Sequence, residues 1–332
     1  MTKRPIPLNF FGMPFGLVGL ADVWLIAAEA GRVPRGVGDA LLILSAAVWL
    51  LVTVAYLDHA GRARSLARDL TDPAAGPFAS LCVIVPMVIA ANGLYARAPT
   101  AGRVLVDVFL VLTVLLGAWF TGQWIYGRVD VDRFHPGYFL PTVAGGLLAA
   151  ASAGAVGQQR LGQVMFGLGA VCWMILGSVI MGRLLFRPLP PPPLLPTLAI
   201  EVAPAAVASL AYFKLFNDSI DAIAAFLGGY GLLMVLAQLR LLPAYLKLPF
   251  MPSTWAFTFS WAAVAAVAIH WVERLGPPGA GVYTCVLLGA ITVLIGGIAA
   301  RTLVALARGQ LPPAAPPPQA AEPRGGAGGP SA

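Results

Sequence analysis

Apolar runs of about twenty residues, broken by short charged or Pro/Gly-rich stretches, recur along the whole chain. They predict an all-α integral membrane protein with ten transmembrane helices, at roughly 10–28, 38–57, 78–96, 101–126, 137–156, 161–184, 195–213, 219–242, 252–271 and 279–307. Connections such as Gly157–Arg160 are short, so neighbouring spans are expected to pair as antiparallel hairpins. The fourth, eighth and tenth runs are long enough to tilt or project beyond the lipid. Residues 1–9 read as a cytoplasmic N-terminus, 10–308 as the membrane domain, and 309–332 as a disordered Pro/Ala/Gly-rich cytoplasmic tail.

A second pattern overlies the first. Four of the five odd-numbered spans carry an interior proline (Pro14, Pro86, Pro141, Pro204), and the matching place in the ninth falls near Phe259–Ser260. The even spans carry none. Proline deletes an intrahelical hydrogen bond and kinks the helix. The freed carbonyl must be satisfied by neighbouring protein or by water in a cavity. Kinked odd spans therefore belong inside and even spans outside, around a central axis. The ninth span adds a large ring above a smooth stripe, because Phe259 shares a helical face with Ala263 and Ala266.

Composition narrows the class. The chain is 59% hydrophobic and 11% charged, far below the charge content of soluble domains. Its net charge of +7 comes from basic residues in inter-helical loops, where they set orientation rather than bind nucleic acid. Met1–Asn9 runs directly into a full span, so no cleavable signal is predicted. With the N-terminus inside, Lys and Arg number fourteen on the cytoplasmic side against seven outside, so both termini are predicted cytoplasmic in the cell (inner or plasma) membrane. Cys82, Cys172 and Cys285 lie in apolar runs and read as small buried hydrophobes. Neither a metal-ligand cluster nor a nucleophile–base pair is evident, which argues against an enzyme, a metal site or a cofactor.

Several segments carry a resemblance. FFGMPFGLVGL (10–20), HPGYFLPTVAGG (135–146), LAIEVAPAAVAS (198–209) and TWAFTFSWA (254–262) resemble motifs of the tellurite-resistance/dicarboxylate transporter family, in order over roughly residues 9–308. That family includes bacterial TehA, plant slow anion channels and fungal malate transporters. The resemblance implies five hairpins in quasi-fivefold arrangement, a homotrimer with one pore per protomer, and a phenylalanine of the ninth helix plugging the pore. The matching residue is Phe259, with Phe257 as the competing candidate. The kink prolines match Pro14, Pro86, Pro141 and Pro204, and Ser260 stands where a plant channel has proline.

No Lys or Arg lies well inside the odd spans, so a filter of basic side chains is absent. Small inorganic anions or dicarboxylates would instead meet a weak positive field from kink N–H groups, from the hydroxyls of Thr142, Thr258 and Ser260, and from basic residues at the mouth. Glu201, three residues before Pro204, is either a proton-coupling site or a structural acid, and Arg183 or Arg240 are its candidate partners. A coupling role points to proton-driven dicarboxylate or sulfite transport, and its absence to an anion channel. Asp22 and Asp107 are expected to cap or to pair with Arg97 or Arg103. His135 reads as a cap before Pro136 or a pH sensor.

Overall fold

The computed structural model describes residues 6–127, 129–216 and 220–311. Most of the predicted N-terminal segment (1–5) and tail (312–332) lie outside the described residues. Among the described residues ten helices are long and apolar enough to cross a membrane: α1 (Leu8–Glu29), α2 (Arg35–Ala63), α3 (Gly76–Leu94), α4 (Pro99–Gly127), α5 (Pro136–Ala155), α6 (Gln159–Phe186), α7 (Leu195–Leu215), α8 (Ala222–Tyr245), α9 (Pro252–Leu275) and α10 (Ala280–Ala307). No strand occurs among the described residues. Each predicted span is present, and helix ends shift by a few residues. The eighth runs past 242 and takes in Pro243 near its last turn, so an outer span does hold one proline.

The two sets of helices differ in burial and in winding. In α1, α3, α5 and α7, 72–89% of the core window is buried, against 17–28% in the even helices. α9 lies between, at 44%, because Trp261, Val264 and Ala268 on its outer side floor an open groove between α8 and α10. Each even span is one unbroken α-helix. Each odd span opens on a 3-10 turn instead (Leu8–Phe11, Gly76–Ser80, Pro136–Tyr138, Leu195–Val202, Pro252–Trp255). Two of them also contain a π-helical turn, Ala90–Leu94 beyond Pro86 and Leu140–Ala144 around Pro141.

The broken winding leaves backbone groups for the outer helices to satisfy. Pro86 cannot donate to the carbonyl of Cys82 four residues back, and the Trp49 indole of α2 donates to that oxygen at 2.8 Å. Ser45 of α2 donates to the Pro14 carbonyl at 2.8 Å, and Gln238 of α8 to the Leu198 carbonyl at 2.8 Å. Such bonds matter most in lipid, where water cannot substitute. They also turn these carbonyls outward, away from the axis.

α1 and α9 make the closest inner seam. A Cβ at Gly16 would lie 2.0 Å from Thr258 Oγ1, and one at Gly19 would lie 2.9 Å from the Phe259 ring. Small residues on both helices permit that approach. At one end, Arg32 grips Glu273 through two bonds of 3.0 and 2.9 Å, and Thr284 donates to the same carboxylate, tying the α1–α2 turn to α9 and α10. Arg97 pairs with Asp39 at 2.9 Å.

Candidate functional site

Two chambers lie along the axis, and both are lined only by the five odd helices. The first is built from their leading halves, the second from their trailing halves. This places the odd helices side by side in one direction. Val207 and Phe259 line both chambers and form the wall between them. Room for water centres is about 40 Å³ in the first and 30 Å³ in the second. That is space for a few water molecules and not for a hydrated ion in transit.

Phe259 is 9% exposed and lies stacked on Phe15 of α1, with ring centroids 3.7 Å apart and planes 13° apart. Gly19 leaves the space that the ring edge needs. Beyond the ring, Ala262, Ala263 and Ala266 line the second chamber, so α9 presents a smooth wall for about 10 Å. Phe257 points elsewhere, edge-on against Tyr245 of α8 at 4.9 Å, and lines neither chamber.

The chambers differ in chemistry. The first is aromatic, with Phe15, Phe78, Phe139, Trp255 and Phe259, and its polar groups are Asn9, Ser253 and Ser260. The second is lined by Asp22, Asn92, Ser152 and Lys214 among apolar residues. Asn92, held in the π turn of α3, donates to Asp22 at 2.9 Å. The expected pairing of Asp22 with Arg97 or Arg103 is not formed, because those arginines bond Asp39 and the Val156 carbonyl. Asp107 Oδ1 is buried without a hydrogen-bond partner.

Comparison with known proteins fits this arrangement. The family described as voltage-dependent anion channel matches residues 5–303. The chain belongs to the voltage-dependent anion channel family. It is also 29% identical over 311 residues to the tellurite resistance protein TehA homolog of Haemophilus influenzae, covering 92% of each chain.

Within this anion channel family member, the other sequence candidates fall as follows. Pro141 sits in a π turn and Pro14 and Pro204 in the first α-helical turn after a 3-10 segment, whereas Pro86 lies inside the α-helical stretch Leu81–Ile89 and α9 passes through Ser260 as regular α-helix. The Ser260 hydroxyl donates to the Ala256 carbonyl at 3.1 Å and lines the first chamber. Thr258 donates to the Trp255 carbonyl at 2.6 Å in the α1–α9 seam, outside both chambers. Thr142 lies against α4 and α6, in a pocket with Thr113 and Cys172. Of the three hydroxyls, the axis is reached by Ser260.

Glu201 is buried, yet Ile200, Ala203, Pro204, Val207, Leu210 and Lys214 are the α7 residues that line the chambers. Its carboxylate lies on the α8 side, within electrostatic range of Tyr230 and Tyr245. Glu201 Oε1 has no hydrogen-bond partner, and no ion pair to Arg183 or Arg240 forms among the described residues. Arg183 instead donates to the Asp132 carbonyl at 3.3 Å. Cys285 is exposed on the outer face of α10, not buried, and Cys82 and Cys172 are half-buried.

His135, just before α5, is a buried cap. Its Nδ1 accepts the Gly137 N–H at 3.1 Å and its Nε2 faces the Pro73 carbonyl at 3.3 Å, which fixes the neutral tautomer with the proton on Nε2. Burial pushes its pKa down to about 4, so it stays neutral near pH 7.

Sequence reasoning missed Phe15, Asn9, Asn92 and Lys214 as wall residues. Phe15 has a signal, being next to Pro14 in the quoted FFGMPFGLVGL segment. Asn92 has none, because the π turn shifts the helical phase on which facing is judged.

Proposed function

We propose that the protein carries small anions across the membrane along the axis of the odd helices, with Phe259 as the closing element. One observation carries this reading: the Phe259 ring is the shared wall of two chambers to which every odd helix contributes. A ring between narrow, mainly apolar chambers blocks ions sterically and by dewetting, and a change of rotamer opens the path. The weak polar lining favours anions that shed water easily, such as chloride or nitrate. In the cell membrane, with both termini cytoplasmic, the aromatic chamber faces the cytoplasm. A homotrimeric assembly with one path per protomer rests on the family resemblance, as does a contribution to tellurite resistance.

Proton-coupled transport of malate-like dicarboxylates or sulfite finds less support. Glu201 lines neither chamber, and Lys214 is the one cation that lines either. The test is flux through purified protein in liposomes, wild type against Phe259→Ala, with chloride, nitrate and malate gradients at two pH values. A large, pH-insensitive rise in chloride and nitrate leak is expected. Unchanged flux from a well-folded variant refutes the gating role, and proton-dependent malate uptake by the wild type refutes the channel.

A further inference from the structure

The second chamber is lined by one acidic and one basic residue, Asp22 and Lys214. Both line the space beyond Phe259, and no ion pair joins them among the described residues. Asn92 holds Asp22 in place through a hydrogen bond of 2.9 Å, which leaves the negative charge in force. Both side chains are half-buried and face whatever crosses the chamber. An anion channel gains nothing in throughput from a carboxylate in its path. The pair makes sense as a filter for charge.

We infer that Asp22 and Lys214 set the valence selectivity of the path, admitting monovalent anions and rejecting divalent ones such as sulfate or dicarboxylates. The inference rests on the proposed anion pathway. Lys214 offsets the cost of bringing one negative charge into the narrow chamber, and Asp22 restores a neutral lining. A monovalent anion then leaves the chamber with one excess charge and a divalent anion with two. The cost of an uncompensated charge in a poorly solvating space rises steeply with its size. Repulsion from Asp22 and attraction to Lys214 are both proportional to the charge on the ion, so removing either residue shifts a divalent species twice as far as a monovalent one. For charges within about 10 Å at an effective dielectric near 20, one extra unit of charge changes relative permeability on the order of tenfold.

The experiment uses the full chain in planar bilayers with Phe259→Ala as the parent, so that the path conducts. Sulfate-to-chloride permeability ratios are read from reversal potentials in the parent, in Asp22→Asn, in Lys214→Gln and in the double variant. Asparagine can still meet Asn92, so the local geometry is kept. Asp22→Asn is expected to raise the ratio about tenfold, Lys214→Gln to lower it by a similar factor, and the combination to return towards the parent. Opposite signs separate a field effect from loosened packing, which moves both variants the same way. If Asp22→Asn fails to fold, the fall expected for Lys214→Gln still decides, because loosened packing would raise the ratio; if Lys214→Gln fails, Lys214→Met takes its place. Ratios that do not change, or that move together, overturn the inference while leaving the pathway intact. A parent that passes no anion refutes the pathway itself, and the filter with it.

Discussion

Phe15→Leu tests what holds the ring of Phe259 in place. Leucine keeps most of the bulk on α1 and removes the aromatic face on which Phe259 lies, 3.7 Å away and inclined by 13°. Aromatic pairs contribute about 0.5–1.5 kcal/mol beyond the area they bury. If that stacking belongs to the closed position alone, its loss raises the open population by about two- to tenfold, since about 1.4 kcal/mol is a factor of ten. Phe259→Ala removes the barrier outright, so the leak should be ordered wild type, Phe15→Leu, Phe259→Ala. Chloride efflux from liposomes at matched protein density measures it. A Phe15→Leu variant as tight as wild type, beside a leaky Phe259→Ala, shows that stacking does not hold the gate. One that leaks as much as Phe259→Ala makes Phe15 part of the barrier instead.

Three further outcomes are expected. Trp49→Phe orphans the Cys82 carbonyl and should destabilise by about 1–3 kcal/mol in detergent unfolding; adding Pro86→Ala, which supplies a backbone donor four residues on, should recover part of the loss, and strictly additive effects would contradict the assigned role. His135 is neutral when folded, with a pKa near 4, but takes up a proton below about 6.5 when unfolded. Its contribution is thus complete above pH 6.5 and lost as pH falls towards 4, about 2 kcal/mol of it between pH 7 and pH 5; His135→Asn should flatten that part of the stability–pH curve, and an unchanged slope would count against the neutral cap. Glu201→Gln should leave chloride flux and its pH dependence unaltered, whereas loss of transport would return Glu201 to the working path.

The division into inner and outer helices was legible because proline leaves a mark in the sequence that lipid makes costly. Pro86 illustrates both the strength and the limit of that reasoning. It correctly signals a carbonyl in need of a partner, but the partner is Trp49 on an outer helix, not water on the axis. Phe259 was legible from the bare Ala stripe that follows it and from its motif. Facing was harder to read. Glu201 sits in a 3-10 segment, where three residues make a turn, so its spacing of three from Pro204 does not tell that it faces α8. Lys214 and Asp22 looked like span-end residues because apolar length gives no depth along a chamber. Their sharing one chamber depends on how α1 and α7 are staggered, and stagger is a property of packing.

The π turn at Ala90–Leu94 has a bearing on how this chain tolerates changes in length. Such a turn stores one residue more than α-helical winding uses. Deleting a single residue there would leave an ordinary helix with the residues beyond it still in place, whereas the same deletion in an α-helical turn would swing everything beyond it by about 100°. Asn92, inside the turn, would leave Asp22 while the connection into α4 kept its aim. The contact between these two side chains is thus kept by the number of residues in the turn as much as by their identity, and indel scanning would expose it where substitution scanning would pass it by.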